Sequence, residues 1–114
     1  MSTQLTINLV EGSVSFNFSP QAARDLHEVI AQLMQSLKAS SAKATTGSTS
    51  PQKSLEYRYT GDVFLEIFCN PNIWPSPFAA KVLITVRDSS IRLSTEAELT
   101  RVIEDLNQYL DRVG

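Results

Sequence analysis

His27 and Cys69, each the only residue of its type, are the side chains of this chain best suited to act as base or nucleophile near neutral pH. A histidine-centred triad needs a nucleophile and an orienting carboxylate within hydrogen-bonding reach. Serines are plentiful, but none sits in the Gly-x-Ser-x-Gly elbow that presents a hydrolase nucleophile. His27 follows Leu26 and has Ile30 and Met34 at helical spacing, so it reads as a histidine at the edge of an apolar stripe, half in water. Cys69 ends an alternating apolar run just before Asn70-Pro71, with no basic neighbour in sequence to depress its pKa. A buried structural thiol is the expectation. One histidine and one cysteine do not make the three or four ligands of a metal site, and no cofactor is implied.

Five carboxylates, Glu96, Glu98, Glu104, Asp105 and Asp111, gather near the end of the chain. Counted on a helix they fall opposite the apolar positions and are expected to face solvent. Arg101 is placed to pair with Glu104 or Asp105, and the early acids suit a helix N-terminus.

The residues with most to say are apolar. In the run Val63–Cys69, Val63, Leu65, Ile67 and Cys69 mark one face of a strand. Phe64 and Phe68 mark the other, and Leu83 repeats the theme further on. Two layers of structure cover only one face of a sheet, so Phe64, Phe68 and Leu83 are expected to form an exposed patch or to meet a partner. Trp74, in the proline-rich stretch Asn70–Phe78, is a further interface candidate unless it folds back over the end of the core. Charge is also uneven. Between residues 38 and 92, Lys38, Lys43, Lys53, Arg58, Lys81, Arg87 and Arg92 outnumber Glu56, Asp62, Glu66 and Asp88. Between residues 94 and 114 the acids outnumber Arg101 and Arg112. Arg58, Arg87 and Arg92 with the nearby aromatics could therefore hold a single-stranded nucleic acid by stacking and phosphate contact.

These residues need elements to place them. Leu5, Ile7 and Leu9, then Val14, Phe16 and Phe18, alternate with polar residues around Gly12, which predicts a hairpin. Ser19-Pro20 is a helix start, and Ala22, Ala23, Leu26, Val29, Ile30, Leu33 and Leu37 form its stripe, which fades near Lys38. Residues 38–54 are Ala, Ser, Thr, Lys, Gly, Pro and Gln with little to bury, so a flexible loop is expected there. Strands are expected at Leu55–Tyr59, Val63–Cys69 and Val82–Val86, and a short one at Ile91–Leu93. Thr95 and Glu98 have capping-box spacing, with Ser94 an alternative cap, for a final helix of roughly 27 Å. Leu99, Val102, Ile103, Leu106, Tyr109, Leu110 and Val113 are its stripe.

The 114 residues thus read as one α+β domain over 1–114. It has a single, mostly antiparallel sheet of about six strands with two helices on one face, in the order ββα-ββββα. The formal charge of −2 and the lack of a basic excess count against a duplex nucleic-acid binder. One cysteine rules out an internal disulfide, and no apolar run approaches a membrane span. Met1-Ser2-Thr3-Gln4 carries no leader pattern, so a cytoplasmic protein is expected.

The hairpin-then-helix pattern at 5–37 returns at 82–110. In layout, strands followed by a packing helix in repeated units, the chain resembles the Whirly-type single-stranded DNA binders. Its first unit, however, has two strands where that architecture has four. The resemblance implies single-strand binding as one function. The apolar second face implies another, a non-enzymatic interaction module that forms a homodimer or meets another protein. A small-molecule enzyme is the least supported, for want of nucleophile, base and metal ligands.

Overall fold

The computed structural model describes residues 4–46 and 53–113; for 40–46 only the backbone is described. Strands β1 (Gln4–Leu9) and β2 (Gly12–Asn17) form the first hairpin, with Leu5 opposite Phe16 and Ile7 opposite Val14. Val10 and Glu11 make the turn, and Gly12 closes it at φ +109, a backbone angle that a side chain would strain. Helix α1 (Pro20–Thr46) follows directly. Its Ser19 cap forms as the sequence implies: the Ser19 hydroxyl accepts from the Ala22 amide at 3.0 Å. Strands β3 (Leu55–Thr60), β4 (Phe64–Cys69), β5 (Lys81–Arg87) and β6 (Arg92–Glu98) make an antiparallel meander in that order. Helix α2 (Leu99–Val113) ends the fold. Among the described residues, no helix is long and apolar enough to cross a membrane.

The α+β class stands, but not the single six-stranded sheet: β1–β2 and β3–β6 are separate sheets. The reason lies on the free edge of β1. Asn8 turns its amide outward to Asp105 Oδ2 at 2.8 Å, and the Gln4 carbonyl accepts from Arg112. Both partners come from α2, so helix side chains occupy the hydrogen-bonding edge where another strand would dock. β1 comes near β6 without a ladder between them, and buried side chains join the two sheets.

Three boundaries also differ. α1 does not fade near Lys38 but runs to Thr46, because Ala and Lys favour helix even where there is nothing to bury. The rest of the expected flexible loop at 38–54 lies mostly at 47–52, outside the described residues. The final helix has no Ser94 or Thr95 cap. Residues 92–98 are all strand, Ser94 bonds Thr85 across it, and α2 starts at Leu99, whose amide donates to the Ala80 carbonyl at 3.0 Å. At 15 residues the helix is also shorter than expected.

The core is one cluster. Leu5, Ile7 and Phe16 come from the hairpin, Leu26, Ile30, Leu33 and Leu37 from α1, and Leu99, Val102, Leu106 and Tyr109 from α2. Leu65, Ile67, Val82, Ile84 and Val86 come from the inward face of the larger sheet. The helices thus claim one face of β3–β6, and the opposite face is left outward.

Candidate interaction surface

The residues capable of catalysis are not brought together. His27 is half-buried on α1, and its Nε2 lies 3.0 Å from Asn107 Oδ1, so it ties the two helices. Cys69 is buried at the end of β4. Burial pushes its thiol pKa up, and a hydrogen bond from the Trp74 side chain offsets part of that rise. Tyr57, half-buried near Asp25 and Tyr59, is pushed up to about 12, chiefly by desolvation. Among the described residues no cluster of three His, Cys, Asp or Glu side chains could hold a metal ion.

Cys69 therefore makes a direct check on the packing. Labelling of the native protein with a thiol reagent at pH 8 is expected to be about a hundredfold slower than in urea. Rates within a factor of three of each other would mean that Trp74 does not close that end of the core.

Of the terminal carboxylates, Asp105 is a correction. It is not on a solvated face but 6% exposed. Both of its oxygens are used, Oδ2 by the Asn8 amide and Oδ1 by Asn8 Nδ2, each at 2.8 Å. Glu96 and Glu98 are also displaced from the expected helix onto the outward face of β6.

That outward face is ordered by strand register into rows that run across the sheet. One row reads Glu56, Phe68, Leu83, Glu96. The next reads Arg58, Glu66, Thr85, Ser94, and the third Thr60, Phe64, Arg87, Arg92. Lys81 and Glu98 pair beyond the first row. Phe68 and Leu83 are side by side and 38% and 47% exposed. Phe64 shares their face but is half-covered, with the Arg87 guanidinium 4.3 Å above its ring. Arg58 pairs with Glu66 at 2.9 Å on the water side of the sheet. Arg58, Arg87 and Arg92 thus share the face with the apolar pair. Of the acids among them, the sequence pattern assigns Glu96 and Glu98 to a helix start and Glu56 and Glu66 only to the charge balance, not to this face. Only the register shows that Glu56 and Glu96 bracket the apolar pair.

Trp74 does not project from this face. It is half-buried and packs on the core below. It still contributes indirectly. Asn70 Oδ1 accepts from the Asn72 amide at 3.0 Å and caps a single 3-10 turn at Pro71–Ile73. This turn makes Ile73 and Trp74 a wall beside the end of the first row. Between wall and sheet is a cavity of about 320 Å3 lined by Phe68, Cys69, Asn70, Ile73, Trp74, Lys81, Leu83 and Glu96. A second cavity of about 370 Å3 lies between α1 and the start of β3, lined by Val29, Leu33, Lys53 and Leu55 among others. Gln32, Ser36, Ser54 and Glu56 complete its lining.

Comparison of the chain with family models, with curated proteins and with solved structures gives no match.

Proposed function

We propose that this chain is a non-enzymatic protein-interaction module whose partner is a second copy of itself, docked through the outward face of β3–β6. The observation that supports it is the Phe68–Leu83 pair, two large apolar side chains held next to each other with 38% and 47% of their surface in water. Covering such surface is worth roughly 25 cal/mol per Å2. The choice of a second copy rests on charge. The bases Arg58, Lys81, Arg87 and Arg92 share the face with the acids Glu56, Glu66, Glu96 and Glu98, so the surface has no net sign and can complement itself. A single nucleic-acid strand fits these facts less well. Glu66 already neutralises Arg58, and Arg87 covers the ring of Phe64 on which a base would stack.

Sedimentation velocity over a hundredfold range of concentration tests the reading. The wild-type chain is expected to sediment as a dimer at the upper end. Phe68→Asp is expected to sediment as a monomer with an unchanged far-ultraviolet circular dichroism spectrum. A wild-type monomer throughout, unaffected by the substitution, would overturn the proposal. Salt-sensitive binding of an oligonucleotide that is lost in Arg87→Glu would replace it with the single-strand reading.

A further inference from the structure

We infer that the cavity beside Trp74 is a binding site for a free aromatic amino acid, an activity that does not rest on the self-association proposed above. Its lining has two parts. Phe68, Ile73, Trp74 and Leu83 supply apolar walls, and Lys81 and Glu96 supply one charge of each sign. At about 320 Å3 the cavity is at the small end of ligand pockets, which run from about 300 to 1,000 Å3, so it suits one small molecule.

The walls select a ring. Phe68 and Leu83 stand opposite each other on β4 and β5, 38% and 47% exposed, and Ile73 is 66% exposed in the turn that Asn70 caps. Trp74 is held from below, packed on the core with a side-chain hydrogen bond to Cys69. Covering these groups drives binding of any apolar side chain. The rings of Phe68 and Trp74 add aromatic contacts that an aliphatic side chain does not gain. The cavity between α1 and β3 also holds one lysine and one glutamate, Lys53 and Glu56, but no aromatic residue lines it.

The charges select the head group. Lys81 stands opposite Glu98 in the ladder and Leu83 opposite Glu96, so Lys81 and Glu96 are diagonal neighbours on the outward face. Such neighbours are about 7–8 Å apart. Among the described residues neither makes an ion pair or a side-chain hydrogen bond, and Glu98 is not part of the cavity lining. An ammonium and a carboxylate on one carbon, each bonded to a side chain at about 2.8 Å, span a gap of that order. The ligand's carboxylate then accepts from Lys81 and its ammonium donates to Glu96. An amine alone leaves Lys81 without its counterpart, and an acid alone leaves Glu96 without one.

Trp74 is the only tryptophan, so its fluorescence reports on the cavity directly. Phe68 and Leu83 also belong to the self-association face, so the full chain is titrated at the lower end of the concentration range, where a monomer is expected. L-phenylalanine is expected to shift the emission saturably. It should bind about fivefold more tightly than phenethylamine or 3-phenylpropanoate, which carry one of the two charges each, and about fivefold more tightly than L-leucine. Lys81→Met is expected to erase the advantage over phenethylamine, and Glu96→Gln the advantage over 3-phenylpropanoate. Equal midpoints for the three phenyl compounds overturn the recognition of the head group, and equal midpoints for phenylalanine and leucine overturn the selection of a ring. No saturable response to phenylalanine overturns the site, and a dimer at high concentration would then leave self-association standing. A chain that binds phenylalanine but stays monomeric at every concentration supports the site and overturns only the self-association.

Discussion

Asp105→Ala is expected to destabilise the fold by about 3 kcal/mol, more than any other polar substitution in the chain. The carboxylate is 6% exposed and takes both a backbone and a side-chain donor from Asn8. Bonds to a charged acceptor contribute about 1.5–3 kcal/mol, and truncation also strands the Asn8 amide in a half-buried place without a partner. Asp105→Asn separates the hydrogen bonds from the packing. Its amide keeps the shape, but its nitrogen must then face a donor, so a loss of about 2 kcal/mol is expected. Asn8→Asp combined with Asp105→Asn exchanges the two groups. The amide oxygen introduced at position 105 can accept from the backbone amide of position 8, while the introduced amide nitrogen donates to the new carboxylate, so most of the loss should return. Urea unfolding of the wild type, Asn8→Asp, Asp105→Asn and the double variant measures the coupling. Additive losses in the double variant would show that the contact contributes nothing as a pair.

A second effect is expected at the same place. Asp105 and Arg112 together block the free edge of β1. Without the carboxylate, the Asn8 amide becomes available to an extended segment from another chain.

Asp105 also shows where the sequence stopped being informative. A helical wheel sorts positions into a stripe and its complement, and Asp105 falls in the complement. The wheel knows nothing of a strand edge beside the helix, and only such an edge makes a buried carboxylate tolerable. The same limit explains the divided sheet. Alternation in Leu5–Leu9 and in Arg92–Glu98 says which way side chains point, but the hydrogen bonds that join or separate strands leave no trace in side-chain type. Alternation did show that Phe68 and Leu83 leave the core, because period two needs no partner to be read. It could not show that Glu56 and Glu96 flank them, since residues 56, 68, 83 and 96 become neighbours only through register. The missing cap at Thr95 has a related cause. Ser94–Glu98 fits a capping box and a strand equally well, and the Ala80 carbonyl that receives the Leu99 amide is remote in sequence.

Phe18→Ala is expected to cost about 3–5 kcal/mol, the largest loss from any single truncation here. The residue is 1% exposed and stands at the junction of four elements. Its ring meets Phe16 of β2 at 5.7 Å, Tyr59 of β3 at 4.7 Å and Tyr109 of α2 at 6.4 Å between centroids, all edge to face. Its carbonyl accepts from the Tyr109 hydroxyl, and the next residue, Ser19, caps α1. Phe18→Leu keeps most of the volume but forfeits the edge-to-face contacts, for about 1–2 kcal/mol. Tyr109→Phe keeps every ring and removes only the hydroxyl's bond to the Phe18 carbonyl, for about 0.5–1.5 kcal/mol. The order of the three losses separates volume, ring geometry and hydrogen bonding. The location of the loss is as informative as its size. No ladder joins β1–β2 to β3–β6, so side chains such as Phe18 and the α2 edge contacts are what hold the hairpin in place. Amide exchange in Phe18→Ala is therefore expected to rise first in β1 and β2, while β4 and β5 keep their protection. A loss below about 1 kcal/mol, or a uniform rise across all strands, would mean that the aromatic junction does not bind the two sheets together.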